Sequence, residues 1–185
     1  MRAIVLDSYG GPEVLTMAEV PDPVPGPEEV LVRVAATAVN RADLLQRMGL
    51  YPGPPMPREI PGLEFAGTVV GVGDRVSGRA VGDVVMGVVG GGAYAEQLVV
   101  HERQTMRVPT SVGLPEAGAV PEVAITAYDA LVLQGGLTAG GWALVHAGGS
   151  GVGTAAIQLA HAVGARVAVT CSTAKVAACA ELGAD

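Results

Sequence analysis

Aromatic side chains are scarce, with one Phe, one Trp and four Tyr in 185 residues. So few rings leave little with which to define a substrate pocket. There are only two cysteines, Cys171 and Cys179, and their spacing fits neither a metal-ligand pattern nor a disulfide framework. Both read as small packed residues. Lysine occurs once, as Lys175, and no Asp or Glu occurs from Ala130 to Ala180, where only Arg166 and Lys175 are ionised at neutral pH. An acid-free stretch suits an anionic ligand, and equally an Ala/Gly-rich buried βα unit that needs few charges. The whole chain carries a net charge of −7, which argues against nucleic acid as a partner. Half the residues are hydrophobic and 16% are charged, and no membrane span or membrane partner is expected. The opening MRAIVLDSYGG reads as a short strand stopped by Asp7 and a Gly-Gly turn, too short for the apolar region of a signal peptide. A cytoplasmic protein is the expectation.

What is present falls into two patterns. Up to about residue 115, short β-prone runs (RAIVLD, EVLVRVAATAV, FAGTVVGVG, DVVMGVVG, AYAEQLVVH) alternate with Gly and Pro, the spacing of a β-barrel or sandwich. PDPVPGP (Pro21 to Pro27) and YPGPPMPREIP (Tyr51 to Pro61) are too proline-rich for helix or central strand. Arg41 to Met48 can form a short helix ended by Gly49. After Pro115 the pattern becomes helix (Pro121 to Leu133), strand (Trp142 to His146), helix (Gly151 to Val163), strand (Arg166 to Thr170), helix (Thr173 to Leu182). That alternation predicts a βαβ unit with a parallel sheet.

At its centre lies His146-Ala-Gly-Gly-Ser-Gly-Val-Gly153. Aligned to G-x-G-x-x-G it reads Gly148-Gly149-Ser150-Gly151-Val152-Gly153, with Ser150 in the second glycine's place. Glycines between a strand and a helix permit a tight turn, close approach of a pyrophosphate and close helix packing, while the helix N-terminus faces the phosphates. Dinucleotide sites that take NAD usually hold a carboxylate about 20 residues further on, for the ribose 2′-hydroxyl. Here the second strand ends in TCSTAK (Thr170 to Lys175) with none. Ser172 and Lys175 instead suit a 2′-phosphate, which favours NADPH; the plain alternative for Lys175 is a solvated surface lysine.

Four segments, VNRADLLQRMGLYP, PGLEFAGTV, PEVAITAYDAL and HAGGSGVGTAAIQLA, make the chain resemble the zinc-independent quinone oxidoreductases of the medium-chain dehydrogenase/reductase superfamily. The zinc-dependent members place a cysteine three residues before the position of Asp43 and a histidine between those of Gly62 and Glu64. This chain has Asn40 and Leu63 there, and neither can ligate zinc. The resemblance implies an α/β protein with a β-barrel: a GroES-like domain over residues 1–118, then the first half (β-α-β-α) of a Rossmann domain over 119–185. It also implies a nicotinamide held between the two domains, and NADPH-driven hydride transfer to quinones. The alternatives are a reductase of α,β-unsaturated carbonyl compounds and a non-catalytic binding protein. Tyr51 matches a cleft tyrosine that could donate to the acceptor oxygen, or is a loop aromatic. Asn40 is expected to line the same cleft, Asp43 to cap or brace the loop, and Thr126 to lie near the nicotinamide or simply to pack. Family members continue beyond the position of Asp185 and are expected to be homo-oligomers. On that basis the 185 residues are expected to be part of a longer enzyme, and to turn over little alone.

Overall fold

Strand β1 (Arg2–Leu6) pairs antiparallel with β2 (Leu15–Glu19) as a hairpin. Next come β3 (Glu29–Ala36), helix α1 (Arg41–Arg47), β4 (Glu64–Val72), β5 (Val84–Val88), β6 (Gln97–His101) and β7 (Thr105–Arg107). The last five strands form one antiparallel sheet in the order β6-β3-β4-β5-β7. In this computed structural model, which describes residues 1–185, the hairpin bridges to the rest at Ala3 to Ala95 and Leu6 to Glu59, and Arg2 pairs with Glu96. The β-rich half is thus a sheet and a hairpin stitched together, without a continuously hydrogen-bonded closure.

Alternation explains the sheet. Val30 and Val32 of β3, Phe65 and Val69 of β4, Val85 of β5, and Leu98 and Val100 of β6 are buried together. Each such side chain contributes about 1.5–3 kcal/mol. A one-residue slip would turn that set outward, so burial fixes the register. Register shifts between Leu31 and Val32 and between Val34 and Ala36 bend β3 against β4. Two strands escape the sequence pattern: β2 is mostly exposed and β7 has only three residues. A short helix α2 (Leu114–Ala117) packs on β3 and β4 through Ala117.

Contacts divide the chain into Met1–Glu122 and Val123–Asp185. Helix α3 (Pro121–Tyr128), with Pro at its start, runs on into a wider π-type turn, Asp129–Gln134. Strands β8 (Trp142–His146) and β9 (Arg166–Thr170) pair in parallel, and α4 (Gly151–Val163) connects them. A 3-10 turn, Thr173–Lys175, precedes α5 (Val176–Glu181). Ile157 and Ala160 of α4, Val167 of β9 and Cys179 of α5 form the core of this unit. No helix is long and apolar enough to cross a membrane; the charge-free stretch ahead of Arg166 is cut by glycines into β8 and α4.

Candidate functional sites

The first candidate site is built from side chains. Glu64 begins β4 and is 1% exposed, yet no cation faces it. Its carboxylate is held by neutral donors: Asn40 Nδ2 donates to Oε1 at 2.8 Å and the Glu122 N–H to Oε2 at 3.0 Å. Glu122 lies in the first turn of α3, where the helix dipole favours a negative partner. Asp43 is buried in α1 and accepts the Asn40 N–H at 2.7 Å on Oδ2, bracing the helix entry. The same oxygen accepts from Tyr94 Oη at 3.0 Å, a hydroxyl that also reaches Ala38 O at 3.1 Å. Asp43 Oδ1 has no partner.

Burial, followed by Asp43 and then Glu64, pushes the Tyr94 phenol far above its ordinary range. Glu122 is also pushed up, by burial first and then by Glu64 and Asp43. Two buried carboxylates thus raise their neighbours' proton affinity.

A second polar knot anchors the proline-rich loop that follows α1. Buried Gln46 donates from Nε2 to Glu59 Oε1 at 2.9 Å, and Tyr9 Oη donates to Glu59 Oε2 at 3.0 Å. Arg58 pairs with Asp7. Tyr51 stands exposed at the start of this loop, its hydroxyl making no hydrogen bond.

The second candidate site is built mainly from backbone. Strand β8 ends at His146, whose Nδ1 lies 3.0 Å from Thr170 Oγ1. The chain then turns through Ala147, the only non-glycine residue with positive φ, at 56°. The Gly148 N–H donates to Thr170 O at 2.9 Å, tying the turn to the end of β9. Ser150 caps α4, its Oγ accepting from the Gly153 N–H at 3.1 Å. That leaves the Gly151 and Val152 N–H groups at the helix N-terminus for an incoming acceptor. A Cβ on Gly153 would lie 2.4 Å from Ala147 O and 2.6 Å from Gly148 O, so only glycine lets the helix start this close to the turn.

Lys175 comes back over this turn. Its Nζ donates to Gly149 O at 2.9 Å, and a Cβ on Gly149 would strike its Cδ at 2.4 Å. Ser172 is exposed just ahead, its carbonyl accepting the Lys175 N–H at 2.8 Å. Thr126 lies exposed on α3, three residues after Val123, whose Cγ1 would stand 3.1 Å from a Cβ on Gly151. Backbone donors, a helix N-terminus and one cation with no carboxylate among them form a donor set that fits the phosphates of a dinucleotide.

Gly148, Ser150, Gly151, Val152, Gly153 and Lys175 are therefore gathered at one turn, with Ser172 beside it. Asn40 sits in the side-chain network, while Tyr51 and Thr126 stand apart on exposed surface. Sequence reasoning passed over Tyr94 and gave Glu64 no role. A glutamate inside the apolar run GLEFAGTVV was the available signal, since a buried charge must find partners. The two cysteines, read as small packed residues, do pack in one core cluster, Cys179 within it and Cys171 against it.

Residues 26–110 match the alcohol dehydrogenase GroES-like domain. The chain thus carries a GroES-like domain, and its relatives are quinone oxidoreductases and VAT-1 proteins of the medium-chain dehydrogenase/reductase superfamily. The chain is 42% identical to the synaptic vesicle membrane protein VAT-1 homolog of Rattus norvegicus, over 88% of this chain and 41% of the relative. It is 38% identical to the chloroplast envelope quinone oxidoreductase homolog of Arabidopsis thaliana, over 100% of this chain and 60% of the relative. Among solved structures it is similar to Escherichia coli quinone oxidoreductase complexed with NADPH, with a TM-score of 0.90, 31% identity and coverage of 100% of this chain and 57% of the other. The chain thus spans 41% and 60% of the length of these two curated relatives.

Proposed function

We propose that this chain contributes NADPH binding, and residues serving the acceptor, to a zinc-free quinone oxidoreductase. The observation that carries the reading is Lys175. It is the one cation at the glycine-rich turn, held by its hydrogen bond to Gly149 O, and no carboxylate ends β9. A site for an unmodified ribose wants an acceptor for the 2′-hydroxyl at that strand end. Ser172 and Lys175 offer a donor and a positive charge, which suit a 2′-phosphate.

NADPH, when bound, supplies the hydride. The Gly151 and Val152 N–H groups would hold its diphosphate, Gly148 and Gly153 keep the backbone close, and Ser150 fixes the first turn of α4. Thr126 is proposed to pack near the nicotinamide. Tyr51, with its hydroxyl free, would donate to the acceptor oxygen as negative charge develops there. Asn40 would present its remaining amide hydrogen and its Oδ1, with orientation set by the bond to Glu64. A quinone is already electron-poor, so binding and alignment can supply much of the acceleration.

The test is a fluorescence titration of the chain with NADPH and, in parallel, NADH. Saturable binding that prefers NADPH is expected, and Lys175→Met should weaken NADPH about tenfold while leaving NADH nearly unchanged. Equal affinities in the parent chain would sink the 2′-phosphate assignment. Turnover of an α,β-unsaturated ketone in place of a quinone, in a protein carrying this chain, would reassign the acceptor.

A further inference from the structure

Cys171 follows the last residue of β9 and is half-buried, whereas Cys179 lies on α5 and is 2% exposed. Sequence separation hides their proximity. Cys179 belongs to the core cluster of Ile157, Ala160 and Val167, Cys171 packs against that cluster, and both line one cavity of about 290 Å³ with Val169, Val176 and Ala184. Burial pushes the Cys179 thiol up. Between them runs the segment that carries Ser172 and Lys175.

We propose that Cys171 and Cys179 are a redox-active thiol pair that oxidises to an intramolecular disulfide and thereby draws Lys175 away from the glycine-rich turn. Access sets the order of events. A peroxide meets Cys171 first: the thiolate sulfur attacks the O–O bond, giving a sulfenic acid and one water. The Cys179 sulfur then displaces hydroxide from that sulfenic acid, forming the S–S bond and, with the thiol proton, a second water. Two thiols lose two electrons and two protons, and the peroxide gains them.

The contraction has a mechanical consequence. Two sulfur atoms that share a cluster and a cavity must close to about 2.05 Å to form the bond. Helix α5 is then pulled toward β9 at Cys179, and the 3-10 turn Thr173–Lys175 is the connection that must absorb the movement. Lys175 holds Gly149 by one exposed hydrogen bond, the weakest tie in the path. The effect on NADPH rests on the reading given above; the disulfide and the lysine movement do not.

The experiment exposes the chain to hydrogen peroxide and maps it by mass spectrometry without reduction. A peptide linking Cys171 to Cys179, lighter by two hydrogens and restored by dithiothreitol, is expected. Because Lys175 is the only lysine, acetylation of side-chain amines reports on it alone. Its labelling should quicken about fivefold on oxidation, and both Cys171→Ser and Cys179→Ala should abolish that response. The proposal is overturned by oxygen added at Cys171 without a crosslink, by disulfides only between chains, or by a crosslink that leaves Lys175 labelling unchanged. Failure of the reduced chain to bind NADPH would count against the function proposed above, while the crosslink and the lysine readout would still decide this one.

Discussion

The two units solve the problem of placing polar groups in opposite ways. The β-rich unit buries them: Asp43, Gln46, Arg47, Glu64 and Thr105 all lie within its interior. The βαβ unit buries no charged or polar side chain at all, and its candidate site consists of peptide N–H groups at a helix end with one exposed lysine. Asp43 Oδ1, Gln46 Oε1 and Arg47 Nε find no partner there, but the bonds that Glu64 and Asp43 do make in the interior are costly to disturb. A backbone site costs little to fold and instead depends on glycine at a few positions where any side chain would collide.

Removing the carboxylate at the centre of the first site should therefore produce the largest effect. Glu64→Ala leaves both the Asn40 amide and the Glu122 N–H without their acceptor and opens a cavity in β4. A loss of about 4 kcal/mol is expected, read as a lower urea midpoint for the transition that reports on the β-rich unit. A loss below about 1 kcal/mol would mean that water replaces the carboxylate and that the buried network is not the support described.

Gly153→Ala tests the other arrangement. The added methyl would meet two carbonyl oxygens within van der Waals distance, both of them backbone and neither free to swing away. About 2 kcal/mol of stability should be lost, along with measurable NADPH binding in the same titration. Retained binding with unchanged stability would show that the turn has slack, and the contrast between the two units would weaken.

This contrast also explains what could be read in the sequence. The glycine-rich turn was legible because its cause is local: a strand, a run of small residues and a helix follow one another between Trp142 and Val163. The antiparallel strands of the sheet were visible from their alternation, except β2, which buries too little, and β7, which is too short. The acidic network was mostly hidden. Asp43 and Tyr94 lie 51 positions apart and Glu64 and Glu122 lie 58 apart, so only the folded sheet brings them together. The same holds for the cysteines, whose meeting depends on how α5 packs on β9.

Tyr94 offers a smaller and pH-dependent probe of the buried network. Its phenol is raised in the folded chain, by burial first and by Asp43 second, whereas in the unfolded chain it ionises near the ordinary value of about 10. Above that pH the unfolded state releases a proton that the native state keeps. Stability therefore falls as pH rises through the ordinary tyrosine range, and it keeps falling until the folded phenol titrates. Tyr94→Phe should cost about 1 kcal/mol at neutral pH, where the bond to Asp43 is lost, and should flatten the alkaline slope. An unchanged slope in the variant would assign alkaline unfolding to other groups.

The smallest expected effect is a gain, and it lies in the backbone-built unit. Ala147 adopts a left-handed conformation at φ 56°, where a Cβ is strained and glycine is not. Replacing it by glycine relieves about 1 kcal/mol of strain but adds freedom to the unfolded chain, which offsets roughly half of that. A net gain of about 0.5 kcal/mol in thermal unfolding is therefore expected. Strain of this kind persists where surrounding contacts over-determine the chain, and here the Gly148 N–H bond to Thr170 O and the close seating of Gly153 do so. If Ala147→Gly stabilises the chain yet weakens NADPH binding, the strain serves to hold the turn open for phosphate. If both improve, the alanine is a tolerated cost, and glycine placement alone preorganises the site.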